Sequence, residues 1–149
     1  MSKSDKKIRL SAMNFLARRE HSYKEIVLKL RKKFENSDER IIEEVDRLRS
    51  EGLQSDRRMA SEYIHFRSKR GVGPKKIRAE LRAKGVSDSL IEQVFLESGV
   101  DWGTVLKRVL EKKRIQSMLA LETIEMKHKV GTFLQKRGFE PNQIRDFIR

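Results

Sequence analysis

The chain has no cysteine. Disulfides, thiolate metal sites and a cysteine nucleophile are excluded with it. Proline occurs twice and glycine eight times in 149 residues, and runs of β-branched residues are very short, so helix is favoured over sheet. No stretch approaches the roughly 18 apolar residues that a membrane span requires. The opening "MSKSDKKIRL" is basic but lacks the apolar centre of a signal peptide, and a cytoplasmic protein is expected. The three histidines, His21, His65 and His128, are scattered and form no metal-ligand spacing. Neither a G-x-S-x-G turn, an H-E-x-x-H helix nor a paired-carboxylate constellation occurs. Glu20 and the pair Glu43-Glu44 read as helix surface. No catalytic residue, metal or cofactor is expected, and the chain does not read as an enzyme.

What is present is charge. Charged residues make up 38% of the chain, hydrophobic ones 37%, and the formal net charge is +13. A chain this polar stays folded only if its apolar residues line up on helix stripes. A positive charge of this size attracts polyanions: nucleic acid, an acidic protein surface or an anionic membrane. The charge is also segregated. Residues 1–35 carry net +7, 36–55 net −3, 56–86 net +7, 87–101 net −4 and 102–149 net +6. That alternation suggests one continuous basic face.

The apolar residues repeat. "EIVLKLRKKF" (Glu25 to Phe34) aligns with "KIRAELRAKG" (Lys76 to Gly85) and, more faintly, with "KVGTFLQKRG" (Lys129 to Gly138). Ile26 matches Ile77 and Val130; Leu30 matches Leu81 and Leu134. Each pair is four apart and shares one helix face. The offsets are 51 and 53 residues. A second segment follows each anchor: Ile41 and Val45, Ile91 and Phe95, Ile144 and Ile148. A helix precedes each one, over Ile8 to Arg19, Asp56 to Lys69 and Trp102 to Arg114. The expected fold is all-α, with three tandem three-helix, helix-turn-helix-like repeats over 1–53, 54–100 and 101–149, forming an elongated, curved array. In the third repeat "IQSMLALETIEM" separates the first two helices. Amphipathic faces taken up by repeat packing are not available to a membrane, so no membrane partner is expected.

Boundary signals agree. Ser22 to Glu25 is an S-x-x-E capping box. Ser37-Asp38 and Ser87-Asp88 supply caps and first-turn acids. Gly52, Gly71, Gly85, Gly99 and Gly138 stand where left-handed C-caps are expected. Pro74 and Pro141 suit a first helical turn. Trp102 and the phenylalanines are expected in the core rather than stacked on bases.

The densest basic stretch is "RSKRGVGPKKIRAELRAKG" (67–85). Its Gly71-Val72-Gly73-Pro74-Lys75-Lys76 is not a nucleotide-binding loop. The G-x-x-x-x-G-K-[ST] spacing is missing, as is a preceding strand. A helix starting near Pro74 could still accept an anion at its N-terminus, helped by Lys75 and Lys76.

Four stretches together carry a resemblance: "LARREHSYKEIVLKL" (16–30), "LRSEGLQSDRRMASEYIHFR" (48–67), "RSKRGVGPKKIRAELRAKGV" (67–86) and "FLQKRGFEPNQIRDFI" (133–148). In this order, over nearly the whole chain, they resemble the RecX regulatory family. The resemblance implies tandem three-helix repeats and a bacterial cytoplasmic modulator of the RecA recombinase. Such proteins bind RecA, especially its filament on DNA, and restrain its ATPase, coprotease and strand-exchange activities in recombination and repair. The expected partners are the RecA filament and single- or double-stranded DNA, and the expected state is a monomer. The alternative is a helix-turn-helix-type DNA-binding protein that acts without a recombinase. The expected contact residues are Arg18, Arg19, Arg31, Lys32, Lys69, Arg70, Lys75, Lys76, Arg78, Arg82 and Lys84.

Overall fold

A computed structural model describes residues 2–112 and 124–148. Among these residues the secondary structure is nine α-helices and no strand: α1 (Lys3–Arg18), α2 (Tyr23–Lys33), α3 (Asp38–Ser50), α4 (Asp56–Lys69), α5 (Pro74–Ala83), α6 (Asp88–Glu97), α7 (Trp102–Lys112), α8 (Ile124–Lys136) and α9 (Pro141–Ile148). None of them is long and apolar enough to cross a membrane. The expected continuation of α7 to Arg114, and most of "IQSMLALETIEM", lie outside the described residues.

The chain divides into two compact units. One is Met1–Glu62 with Leu81–Val94, and the other is Tyr63–Glu80 with Phe95–Arg149. In the first, α1, α2 and α3 pack against one another. Their core is Ile8 and Ala12 from α1, Ile26, Val27 and Leu30 from α2, and Ile41, Val45 and Leu48 from α3. The spacing of three and four puts each set on one helix face. In the second unit Val105, Leu106, Val109 and Leu110 of α7 meet Val130 and Leu134 of α8, Phe139, and Ile144 of α9. All six aligned anchors, Ile26, Ile77, Val130, Leu30, Leu81 and Leu134, are buried. Trp102 packs at the edge of the second core, with its ring 5.8 Å from that of Phe95. Phe66 departs from the expected pattern. It is exposed and lies under the Arg70 guanidinium at 4.6 Å.

The ends of the helices follow their capping chemistry. Ser22 and Glu25 form the reciprocal box expected at the start of α2. The five glycines expected at helix ends all have positive φ, and Pro74 and Pro141 open α5 and α9. Three expectations are corrected. Helix α1 starts at Lys3, five residues before Ile8, because Ser2 and Asp5 make a capping box of their own. Ser37 makes no side-chain cap; its hydroxyl donates to the Glu35 carbonyl instead. Glu44 is not on the surface. Its side chain is 3% exposed, 2.6 Å from Arg47 Nη1 and 3.7 Å from Arg9 Nη1. Two arginines reaching in from the rim pair with this carboxylate where it lies in the helical interface.

One joint occurs twice in equivalent positions, once in each unit. In the first unit the N-terminus of α2 sits on the C-terminal end of α5. Ser22 Oγ donates to the Lys84 carbonyl at 2.6 Å. A Cβ on Gly85 would lie 2.7 Å from Lys24 Cβ. In the second unit the N-terminus of α5 sits on the end of α8. Gly73 N donates to the Arg137 carbonyl at 2.7 Å and Lys75 N to the Gly138 carbonyl at 2.9 Å. A Cβ on Gly138 would collide with Lys76 Cβ, and one on Gly73 with the Gly138 carbonyl. The sequence offsets relate Ser22 to Gly73 and Gly85 to Gly138. Helix N-termini have unpaired N–H groups and helix C-termini unpaired carbonyls, and the second joint satisfies one set with the other. In the first the donor to the carbonyl is the Ser22 hydroxyl, while the amides of Ser22, Tyr23 and Glu25 are met by the side chains of Glu25, Asp56 and Ser22.

Leu30→Ala and Leu81→Ala, at fully buried positions, should each cost roughly 2–5 kcal/mol in urea unfolding. Gly138→Ala should cost clearly more than Gly52→Ala. Both glycines have positive φ, which penalises alanine by about 1–2 kcal/mol. Only at Gly138 does the added methyl also meet backbone and a neighbouring side chain, whereas at Gly52 it meets nothing within 4 Å. Equal losses at the two positions would contradict the joint.

Candidate functional site

The eleven expected contact residues fall into two sets. Arg18, Arg19, Arg31, Lys32, Arg82 and Lys84 belong to the first unit, and Lys69, Arg70, Lys75, Lys76 and Arg78 to the second. Within each unit, the local acids decide which cations remain available.

In the first unit Glu25 draws two of them together. Arg19 Nη2 lies 2.9 Å from its carboxylate and Lys84 Nζ 3.2 Å. Glu25 also accepts the Ser22 backbone N–H at 3.0 Å as part of the capping box. Burial by itself would push this carboxyl up. The Arg19 and Ser22 hydrogen bonds, with the charges of Lys84 and Arg19, outweigh it and hold the carboxyl at about 2. Arg31 pairs with Asp38 at 3.4 Å and Arg82 with Asp88 at 2.5 Å. These four cations are therefore ion-paired within the unit, although Arg19, Arg31 and Arg82 stay exposed. Arg18 and Lys32 are exposed and have no carboxylate partner among the described residues.

His21 lies beneath this cluster, 1% exposed. Its Nδ1 is 3.0 Å from the Arg19 carbonyl and its Nε2 is 2.7 Å from Lys29 Nζ. A carbonyl only accepts, so Nδ1 carries the hydrogen and Nε2 accepts from the ammonium. Burial holds the imidazole below its ordinary 6.5, although the Arg19 carbonyl opposes that shift. The ring is neutral and orients the turn that carries Arg19.

In the second unit Arg78 is occupied. It pairs with Glu140 at 3.4 Å and lies over the Phe95 ring at 4.3 Å. Lys69, Arg70, Lys75 and Lys76 are exposed and have no carboxylate partner among the described residues. The expectation of an anion site at the N-terminus of α5 is corrected. The amides of Gly73 and Lys75 already donate to the carbonyls of Arg137 and Gly138, and Pro74 has no N–H. The side chains of Lys75 and Lys76 remain exposed, but the helix end beneath them is capped by protein.

The structure adds three residues that the sequence reading did not select. Arg108, Lys112 and Arg137 join Lys69 and Arg70 around a cavity of about 150 Å³ between the end of α4, α7 and α8. A signal for two of them was present. Arg108 and Lys112 are four apart on α7 and share a face. Arg137, at the end of α8, comes to them only through the tertiary packing.

The electrostatics of the first-unit cluster predict a two-step acid sensitivity. Glu25 is depressed in the folded state, so its stabilisation is complete above its ordinary 4.5 and is lost as pH falls from there towards 2. His21 is also depressed, so its contribution is complete above 6.5 and declines as pH falls below that. Urea unfolding at pH 7.5, 5.5 and 3.5 should show both losses. Glu25→Gln should flatten the drop from 5.5 to 3.5 while keeping the one from 7.5 to 5.5. An unchanged profile in that variant would remove Glu25 from the account.

Comparison with known proteins agrees with this architecture. Residues 55–94 match the family described as "RecX, second three-helix domain". The chain is 36% identical over 137 residues to "Regulatory protein RecX" of Haemophilus influenzae (strain PittEE), covering 91% of this chain and 89% of that protein. It is 45% identical over 106 residues to the protein of the same name from Pseudomonas putida, covering 71% and 74%. The structure described as "Crystal structure of RecX from Lactobacillus salivarius" superposes with a TM-score of 0.84 at 22% identity, covering 99% of this chain and 96% of that one. At that identity the superposition speaks for the fold, while the closer sequence relatives speak for the family. With the ordered helices, the buried anchors and these relatives together, the chain belongs to the RecX family of regulatory proteins.

Proposed function

We propose that this protein binds a RecA-type recombinase, chiefly its filament on DNA, and restrains the ATPase, coprotease and strand-exchange activities of that filament. It does so as a cytoplasmic monomer without catalytic chemistry of its own. Three three-helix repeats, over 1–53, 54–100 and 101–149, carry the function. Family membership supplies the prior. The observation in this chain that carries the reading is the set Lys69, Arg70, Lys75 and Lys76. These cations are exposed, close in sequence and unclaimed by any described carboxylate. Internal ion pairs fix a side chain in one geometry, whereas unclaimed cations are available to an acidic surface or to phosphates.

The sorting of cations also ranks the eleven contact residues. Arg18, Lys32, Lys69, Arg70, Lys75 and Lys76 are the ones that meet the partner directly. Arg19, Arg31, Arg78, Arg82 and Lys84 act chiefly by holding the basic helices in place, because each already has an acid within the fold. A second reading, DNA binding of helix-turn-helix type without a recombinase, draws on the same unclaimed cations. It differs in having a steep salt dependence that tracks the number of phosphates contacted.

The deciding experiment is DNA-dependent ATP hydrolysis by RecA, titrated with this protein, alongside its binding to the same DNA without RecA. Inhibition at concentrations too low to coat the bare DNA is expected. Inhibition only in step with coating would favour the DNA-binding reading. Reversing Lys75 and Lys76 to Glu should raise the concentration for half-inhibition by roughly ten-fold or more, with the thermal midpoint little changed. Arg82→Ala should have a smaller effect. An unaltered titration in the double reversal would take both lysines out of the site.

A further inference from the structure

The cavity between the end of α4, α7 and α8 has features that charge alone does not explain. Its rim is Lys69, Arg70, Arg108, Lys112 and Arg137, and its floor is Val105, Val109 and Phe133. No acidic residue lines it, and none of the five cations has an ion-pair partner among the described residues. Five like charges around one small opening repel one another, which costs stability in the empty protein and is relieved by an anionic ligand.

A second observation concerns Arg137. Its Nη2 donates to the Arg70 carbonyl at 3.1 Å, which fixes the guanidinium. Its Nε is buried with no hydrogen-bond partner. A buried unsatisfied donor is uncommon and unfavourable. Gly71 keeps the room for this arrangement. A Cβ there would lie 2.6 Å from Val109 Cγ2 and 2.9 Å from Arg137 Nη2. The glycine therefore keeps both floor and rim open, in addition to ending α4.

The combination points to a particular class of ligand. A site that only tracked phosphates would be a basic groove open along its length. Here a confined apolar floor lies inside a ring of cations. That is the layout of an interface anchor pocket, where one bulky apolar side chain is buried and charged groups surround it. We infer that this cavity binds an acidic peptide segment of a partner protein, with one apolar side chain seated on Val105, Val109 and Phe133 and its flanking carboxylates met by Arg108, Lys112, Arg137, Lys69 and Arg70. The inference does not depend on the partner being a recombinase.

The test uses the full chain and a fluorescein-labelled nine-residue peptide of Asp and Glu with a single central Leu. Two competitors are added: the same peptide with Ser in place of Leu, and an oligothymidylate of equal charge. Anisotropy should show the Leu peptide binding about ten-fold or more tighter than the Ser peptide. Arg108→Glu with Lys112→Glu, both exposed on α7, should weaken it by a comparable factor without changing the circular dichroism spectrum. Val109→Ser should remove the preference for Leu while sparing the charge-driven remainder. Equal affinity for the Leu and Ser peptides would overturn the anchor. Displacement by the oligothymidylate at equal or lower concentration would assign the cavity to nucleic acid. Absence of saturable binding would overturn the site.

Discussion

The structure depends on how helix ends are satisfied. Each short helix leaves amides at one end and carbonyls at the other without partners, and a polar chain has few apolar residues with which to offset that cost. The protein meets this requirement by seating one helix start on another helix end, through Ser22 on the Lys84 carbonyl and through Gly73 and Lys75 on the carbonyls of Arg137 and Gly138. Glycine is required at the receiving positions. At Gly85 and Gly138 a side chain would both need a strained φ and collide with the arriving helix. The two joints stand at equivalent positions of the repeat but use different donors, a hydroxyl in the first unit and backbone amides in the second.

The joint has a consequence for function. It consumes the helix N-terminus that would otherwise be the natural anion site beside Lys75 and Lys76. What remains for a partner is side-chain charge, and acids within the fold divide that charge. Glu25 takes Arg19 and Lys84, Asp38 takes Arg31, Asp88 takes Arg82 and Glu140 takes Arg78. The excess of positive charge is thus not spread evenly over the basic motifs. It concentrates on the cations that no described acid reaches, notably Lys69 and Arg70 at the end of α4 and Arg108 and Lys112 on α7.

These features describe a member of a family of regulatory proteins whose fold sorts its own charge. Among the described residues no cluster of three His, Asp or Glu could hold a metal. Glu25 and His21, two of the groups whose equilibria the fold shifts, hold the turn between α1 and α2 through hydrogen bonds to Arg19 and Ser22.

The sequence by itself determined the helices and their cores. Ile and Leu at a spacing of four, S-x-x-E at Ser22, proline at 74 and 141 and glycine at helix ends are local signals, and local backbone and packing preferences answer to them directly. The family was legible for the same reason, because it is written as an ordered series of such patterns. Tertiary structure decided the rest. Glu44 became buried because Arg9, from another helix, lies close enough to share its charge with Arg47. Arg137 joined Arg70 and Arg108 only when the end of α8 came to rest beside α4 and α7. Which cation is paired depends on distances of a few ångströms between residues up to 62 positions apart. Charge counts along the chain do not encode those distances, so the sequence could name the basic motifs but only the fold could show which of their charges remain to be used.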